Sequence, residues 1–148
     1  MIRHAMASDQ RSVIAMLKNY YDAGQDRTPF KFAFDPAAAA RLFSIHTESK
    51  YSCCIVLDCD GNASGVLMAV SSFHPFAPIR IAIETLWWIE PSHRGRHFRA
   101  MLSFYQQWAI ERGCAYAGIA ALGNDDGMTA LYRRAGFALA ETHYIKAL

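Results

Sequence analysis

The residues best suited to chemistry fall in three places. The first is the run Pro91, Ser92, His93, Arg94, Gly95, Arg96, His97, Phe98 and Arg99, which lies between a β-rich stretch and a helical one. A helix starting here exposes unpaired backbone N–H groups and a partial positive charge, which together suit a phosphate or pyrophosphate. Gly95 lets backbone approach such a ligand closely, and Arg94, Arg96 and Arg99 offer it charge-assisted hydrogen bonds. A solvated basic helix end is the plain alternative for so short a motif.

The second place is Leu131, Tyr132, Arg133, Arg134, Ala135, Gly136, Phe137, with a tyrosine four residues before a glycine helix stop. A phenol can give a proton to a departing thiolate, so Tyr132 is a candidate general acid. An aromatic packed in the core is the ordinary reading of the same pattern. The third place is Glu84, the lone charge within Ile81, Ala82, Ile83, Glu84, Thr85, Leu86, Trp87, Trp88. Partial burial would raise its pKa and suit a base working near neutrality; a structural carboxylate paired with an arginine or a hydroxyl is the alternative.

His74 and His143 are alternative bases, since imidazole titrates in the useful range. His93 and His97 have a four-residue spacing that binds zinc on a continuous helix, but the expected turn interrupts that helix and no third ligand is nearby, so no metal is expected. Cys53, Cys54, Cys59 and Cys114 lack the gaps of zinc knuckles or redox pairs and read as buried thiols. Cys53 and Cys54, adjacent in a strand, point to opposite faces, as do Trp87 and Trp88. Phe73, Phe76, Tyr144 and one of the two tryptophans are candidates to line a substrate pocket, though aromatics at strand spacing are first of all core material.

Turn and periodicity signals order the elements that must position these groups. A strand at Ile2 to Ala5 precedes a helix with Ser8 as N-cap, Ile14, Leu17 and Tyr21 on one face, and Gly24 at its end. Asp35 and Pro36 open a second helix carrying Leu42, Phe43 and Ile45. Tyr51 to Leu57 and Ser64 to Val70 pair about an Asp60–Gly61 turn, and Ile79 to Ile89 form the central strand. A helix from about Gly95 to Arg112, a strand at Ala115 to Ala121, a helix from about Asp126 to Ala135 and a last strand region from Phe137 to Lys146 follow. Hairpins beside strand–helix–strand crossovers predict an α/β (α+β) fold with a mixed, mostly antiparallel sheet and helices on both faces.

The 148 residues suit one domain spanning the whole chain, and the apolar content excludes disorder. A formal charge of +2 argues against nucleic acid as a partner. No apolar run approaches the roughly 20 residues of a membrane span, and Met1 to Gln10 lacks a signal-like core, so a cytoplasmic protein without membrane partners is expected.

Element order, turn and tyrosine together resemble the GNAT superfamily of acyltransferases, across essentially the whole chain. Arg94 with Gly95 matches the start of its Arg-Gly-x-Gly-x-Gly/Ala pyrophosphate turn, and Leu131 through Phe137 matches its Leu-Tyr-x-x-x-Gly-Phe segment. Phe34, Asp35, Pro36 and the ending Glu141 to Lys146 are similar to small bacterial and phage-associated members. His97 and Arg99 stand where the family has small residues. The resemblance implies a sheet of six to seven strands and transfer of an acetyl group from acetyl-CoA to a primary amine of a small molecule or peptide. It implies cofactor contacts at Trp88 and Ile89, at Arg94, Gly95, Arg96, His97, Phe98 and Arg99, and at Asp125 and Tyr132. Glu84 would deprotonate the amine and Tyr132 protonate the CoA thiolate, without a metal or an acyl-enzyme. A catalytically silent CoA-binding or interaction module is the alternative, and a homodimer is the commonest assembly to expect.

Overall fold

A computed structural model describes residues 1–122 and 125–148. Its strands are β1 (Ile2–His4), β2 (Ser52–Cys59), β3 (Asn62–Phe73), β4 (Arg80–Ile89) and β5 (Cys114–Gly118). Its helices are α1 (Gln10–Gly24), α2 (Pro36–Glu48), α3 (Phe98–Glu111) and α4 (Asp126–Arg134). The strands lie side by side in the order β1-β2-β3-β4-β5, antiparallel except for the parallel β4–β5 pair that the α3 crossover requires.

Strand alternation divides the core into two layers. On one face Cys54, Val56, Val66, Met68 and Leu86 meet Val13, Met16 and Leu17 of α1 and Phe43 of α2. On the other, Cys53, Ile55, Leu57, Leu67 and Ile89 meet Met101, Leu102, Tyr105 and Trp108 of α3. Cys53 and Cys54 thus part to opposite faces, as do Trp87 and Trp88. Asp60 (φ 54°) and Gly61 (φ 83°) take the paired positive angles that a two-residue hairpin needs.

Several expectations need correction. Ser8 does not cap α1: a short 3-10 turn at Ala7–Asp9 leads in, and the Asp9 carboxylate accepts from the Met6 N–H at 2.7 Å. The buried stripe of α1 is Val13, Met16 and Leu17, with Ile14 and Tyr21 at its margins. On α2, Ile45 is exposed and His46 buried in its place. The helix after β4 begins at Phe98, because Gly95 (φ 85°) breaks helical geometry before it. Among the described residues the last strand is absent and the sheet has five strands, short of six to seven: residues 138–148 are exposed and make no ladder with β5. The aromatic and β-branched residues Phe137, Thr142, Tyr144 and Ile145 suit a strand, but strand forms only where a partner and a core face are provided.

Candidate active site

The site is built where β4 and β5 part. Their pairing ends at Ile83↔Gly118, while β4 runs on through Glu84 to Ile89 with β3 on its other side only. The cause is a bulge. Ala69 pairs with Glu84 and Met68 with Leu86, so Thr85 is an extra residue in β4, and a bulge bends and twists the strand that carries it. Once β5 diverges, its backbone groups lose their ladder partners and must be satisfied otherwise. Three side chains do this. Tyr105 Oη donates to the Gly118 carbonyl at 2.8 Å, the Ala120 N–H donates to Glu84 Oε2 at 3.0 Å, and Tyr132 Oη donates to the Ala120 carbonyl at 2.8 Å.

Glu84 and Tyr132, far apart in the chain, therefore meet at Ala120. Burial pushes the Glu84 carboxyl up to about 7, only partly offset by the Ala120 hydrogen bond, so it titrates near neutrality. Tyr20 of α1, Tyr105 of α3 and Tyr132 of α4 are all held above the ordinary phenol range by burial first, and by the nearby Glu84 charge second. Tyr132 stacks at 6.2 Å on Phe98, which stacks at 4.8 Å on Trp87, so an aromatic column joins α4, α3 and β4 beside the fork. Phe137 lies tilted against Tyr132, with ring centroids 6.3 Å apart.

The basic turn lies at the C-terminal end of β4. A Cβ built on Gly95 would meet nothing within 4 Å, so its backbone is openly approachable, and no side chain caps α3. His97 and Arg99, which stand where the family has small residues, border separate depressions. His97, with His93 and Arg96, borders a depression of about 500 Å³ against the β2–β3 hairpin. Arg99, with Phe98 and Leu102, borders one of about 230 Å³ against Leu131 and Arg134 of α4. Partial burial and the charges of Arg96 and His93 hold the His97 imidazole below its ordinary value, as a locally positive region does. These features fit an anionic ligand of the pyrophosphate kind.

Other expected contacts are engaged within the protein. Arg94 Nε donates to the Ile89 carbonyl at 2.9 Å and its guanidinium lies 4.5 Å from the Trp88 ring, so it braces the strand end. Asp125 caps α4 by accepting from Met128 N–H at 2.9 Å and binds Arg27 Nη2 at 2.7 Å, which ties the segment after α1 to the start of α4. Phe73 ends β3 and His74 and Phe76 sit in the β3–β4 loop, at the end of β4 away from the Gly95 turn, and Tyr144 and His143 are exposed in the last segment. His93 and His97 have ring centroids 6.3 Å apart, and no cluster of three metal-ligating side chains occurs among the described residues. Sequence reasoning missed Tyr20, Ala120 and the bulge at Thr85. The Ala39–Phe43–His46 spacing, one stripe of a helix, was the available signal that His46 is buried.

Residues 17–137 match the acetyltransferase (GNAT) family. No curated protein sequence matches the chain. The fold is similar to that of ribosomal-protein-alanine N-acetyltransferase from Brucella melitensis biovar Abortus 2308, with TM-score 0.76 and 19% identity over 100% of this chain and 99% of that one. It is similar to aminoglycoside 6'-N-acetyltransferase AAC(6')-IG from Acinetobacter haemolyticus, with TM-score 0.76 and 16% identity over 100% and 97% of the two chains. Aminoglycoside N-acetyltransferase AAC(6')-Iy in complex with CoA gives TM-score 0.75 and 13% identity over 100% and 98%. Identities this low establish a shared fold; the family match, over most of the chain and over both motifs, establishes that this protein belongs to the GNAT acetyltransferase family.

Proposed function

We propose that the protein is an acetyl-CoA-dependent N-acetyltransferase that moves the acetyl group directly onto a primary amine. The observation that carries this reading is the convergence of Glu84 and Tyr132 on Ala120 at the fork between β4 and β5. Glu84, with its carboxyl raised to about 7, accepts a proton from the incoming ammonium, directly or through water. The freed amine attacks the thioester carbon, backbone N–H groups at the fork polarise the carbonyl, and the C–S bond breaks. Tyr132 gives its proton to the departing thiolate. The open amides about Gly95 and the start of α3 hold the pyrophosphate, with Arg96 and Arg99 beside them. Structural neighbours named for a ribosomal-protein alanine and for aminoglycosides support an amine acceptor, of small-molecule or peptide type.

The test is release of free CoA thiol from acetyl-CoA with a panel of amines, amino acids, aminoglycosides and peptides, using the wild type, Glu84→Gln and Tyr132→Phe. Acceleration by one class, lost in both variants, supports the reading. Tight acetyl-CoA binding without turnover on any acceptor would favour the silent module.

A further inference from the structure

His46 and Thr85 make a contact that the proposed chemistry does not use. His46, only 3% exposed, sits on the core face of α2. Its Nδ1–H donates to the Leu42 carbonyl at 2.9 Å, which leaves Nε2 as the acceptor for the Thr85 hydroxyl, also at 2.9 Å. Both ring nitrogens of a buried imidazole are thus satisfied, as burial demands. The partner is the one residue of β4 that the bulge leaves without a place in the β3 register.

That bulge decides which side chains face which layer. Ala82 lies in the α3 layer, yet Leu86 and Trp88, of the same parity, lie in the α1–α2 layer. The inversion falls at Thr85. Glu84 pairs with Ala69, a residue of the α3 layer, and so faces Ala120, while Trp87 and Ile89 also turn to α3. Without the extra residue, alternation would send either Glu84 or the tryptophan end of the strand to the wrong face. Burial of Phe43 and His46 fixes α2 on the sheet, so the imidazole is a rigid anchor for the bulged residue.

We propose that His46 is a positioning residue, which through Thr85 holds the β4 bulge and thereby keeps the Glu84 carboxylate against Ala120. The role in catalysis rests on the reading of Glu84 as the base; the role in placing Glu84 does not. The titratable groups close enough to feel the Glu84 charge are Tyr20 from α1, Tyr105 from α3 and Tyr132 from α4, and the Ala120 amide donates to it. Its titration therefore reports how deeply the bulge buries it.

The experiment follows the Ala120 amide by NMR across pH in the wild type, Thr85→Val, Thr85→Ser and His46→Leu. Valine keeps the β-branched shape and removes only the hydroxyl; serine keeps the hydroxyl. In the wild type the amide reports a midpoint of about 7. In Thr85→Val and His46→Leu the midpoint falls toward the ordinary carboxylate value of about 4.3, and Thr85→Ser restores it. Turnover read alongside drops by about 10- to 100-fold in kcat for Thr85→Val, with KM for acetyl-CoA unchanged. An unchanged midpoint in either folded variant overturns the inference. A wild type without turnover, but with a midpoint that depends on Thr85, overturns the proposed function and leaves the positioning role standing.

Discussion

Glu84 and Tyr132 are held by the same residue: the Ala120 N–H donates to the carboxylate and the Ala120 carbonyl accepts from the phenol. A candidate base and a candidate acid are thereby fixed relative to each other by a residue just beyond the end of β5. Because Glu84 must be ionised to act, kcat/KM rises with pH through about 7. Glu84→Gln, whose amide oxygen can still accept from Ala120, loses about 100- to 10,000-fold in rate and flattens that rise, while acetyl-CoA affinity is kept. The same raised pKa has an opposite sign for stability. Between the unfolded and folded values the native state binds the proton more tightly, so stability falls as pH rises, and Glu84→Gln gains in melting temperature over the wild type from pH 5 to pH 8. A pH-independent difference between the two proteins would contradict the burial of Glu84.

Tyr132→Phe separates acid from scaffold. The ring keeps its stacking on Phe98 and its tilted contact with Phe137, and the lost hydrogen bond to Ala120 costs about 1 kcal/mol. Turnover with an amine acceptor falls by about 100-fold or more. The effect is smallest with thioesters whose thiol leaves readily as an anion; an equal loss with every leaving group would point to a packing defect instead.

The parts of the fold read from the sequence are those with local causes. Asp35 before Pro36 caps α2 through the Ala37 N–H, and Gly113 and Gly136 stop their helices with positive φ, as turn chemistry predicts. Glu84 was legible because a charge in an apolar strand must find a partner. Its actual partner, a backbone amide 36 residues away, depends on where two strands part, and no local pattern encodes that. The bulge is equally silent, since Thr85 suits a regular strand as well as a bulged one. The segment after Phe137 shows the reverse: residues that suit a strand, such as Thr142, Tyr144 and Ile145, without a neighbour to pair with.

Gly95 carries a conformational demand that its neighbours do not. At φ 85° an alanine is strained by about 1 kcal/mol although its methyl would meet nothing. Gly95→Ala is expected to lower the melting temperature slightly and to weaken acetyl-CoA binding by calorimetry as the turn re-aims its amides. Unchanged affinity would remove Gly95 from the cofactor site.

Arg3 ties β1 to the start of α1 and the β2–β3 hairpin, binding Asp9 at 2.7 Å and Asp58 at 2.8 Å. Its hydrogen bonds hold both carboxyls below their ordinary range. That stabilisation is complete above the unfolded carboxylate pKa of about 3.9 and disappears as pH falls through the depressed folded values. Arg3→Met therefore melts well below the wild type at neutral pH, and the gap narrows in strong acid. Melting curves showing a constant gap at every pH would assign the loss to packing of the Arg3 stem.

The central claim is that the β4–β5 fork and the Gly95 turn together receive acetyl-CoA. Its most direct test is the melting temperature with acetyl-CoA, free CoA or ATP. Binding to the folded state alone stabilises it by about 2.7 kcal/mol at a hundredfold excess over Kd. A clear rise with acetyl-CoA and CoA, and none with ATP, is the predicted result. No shift with acetyl-CoA at saturating concentration would contradict the account.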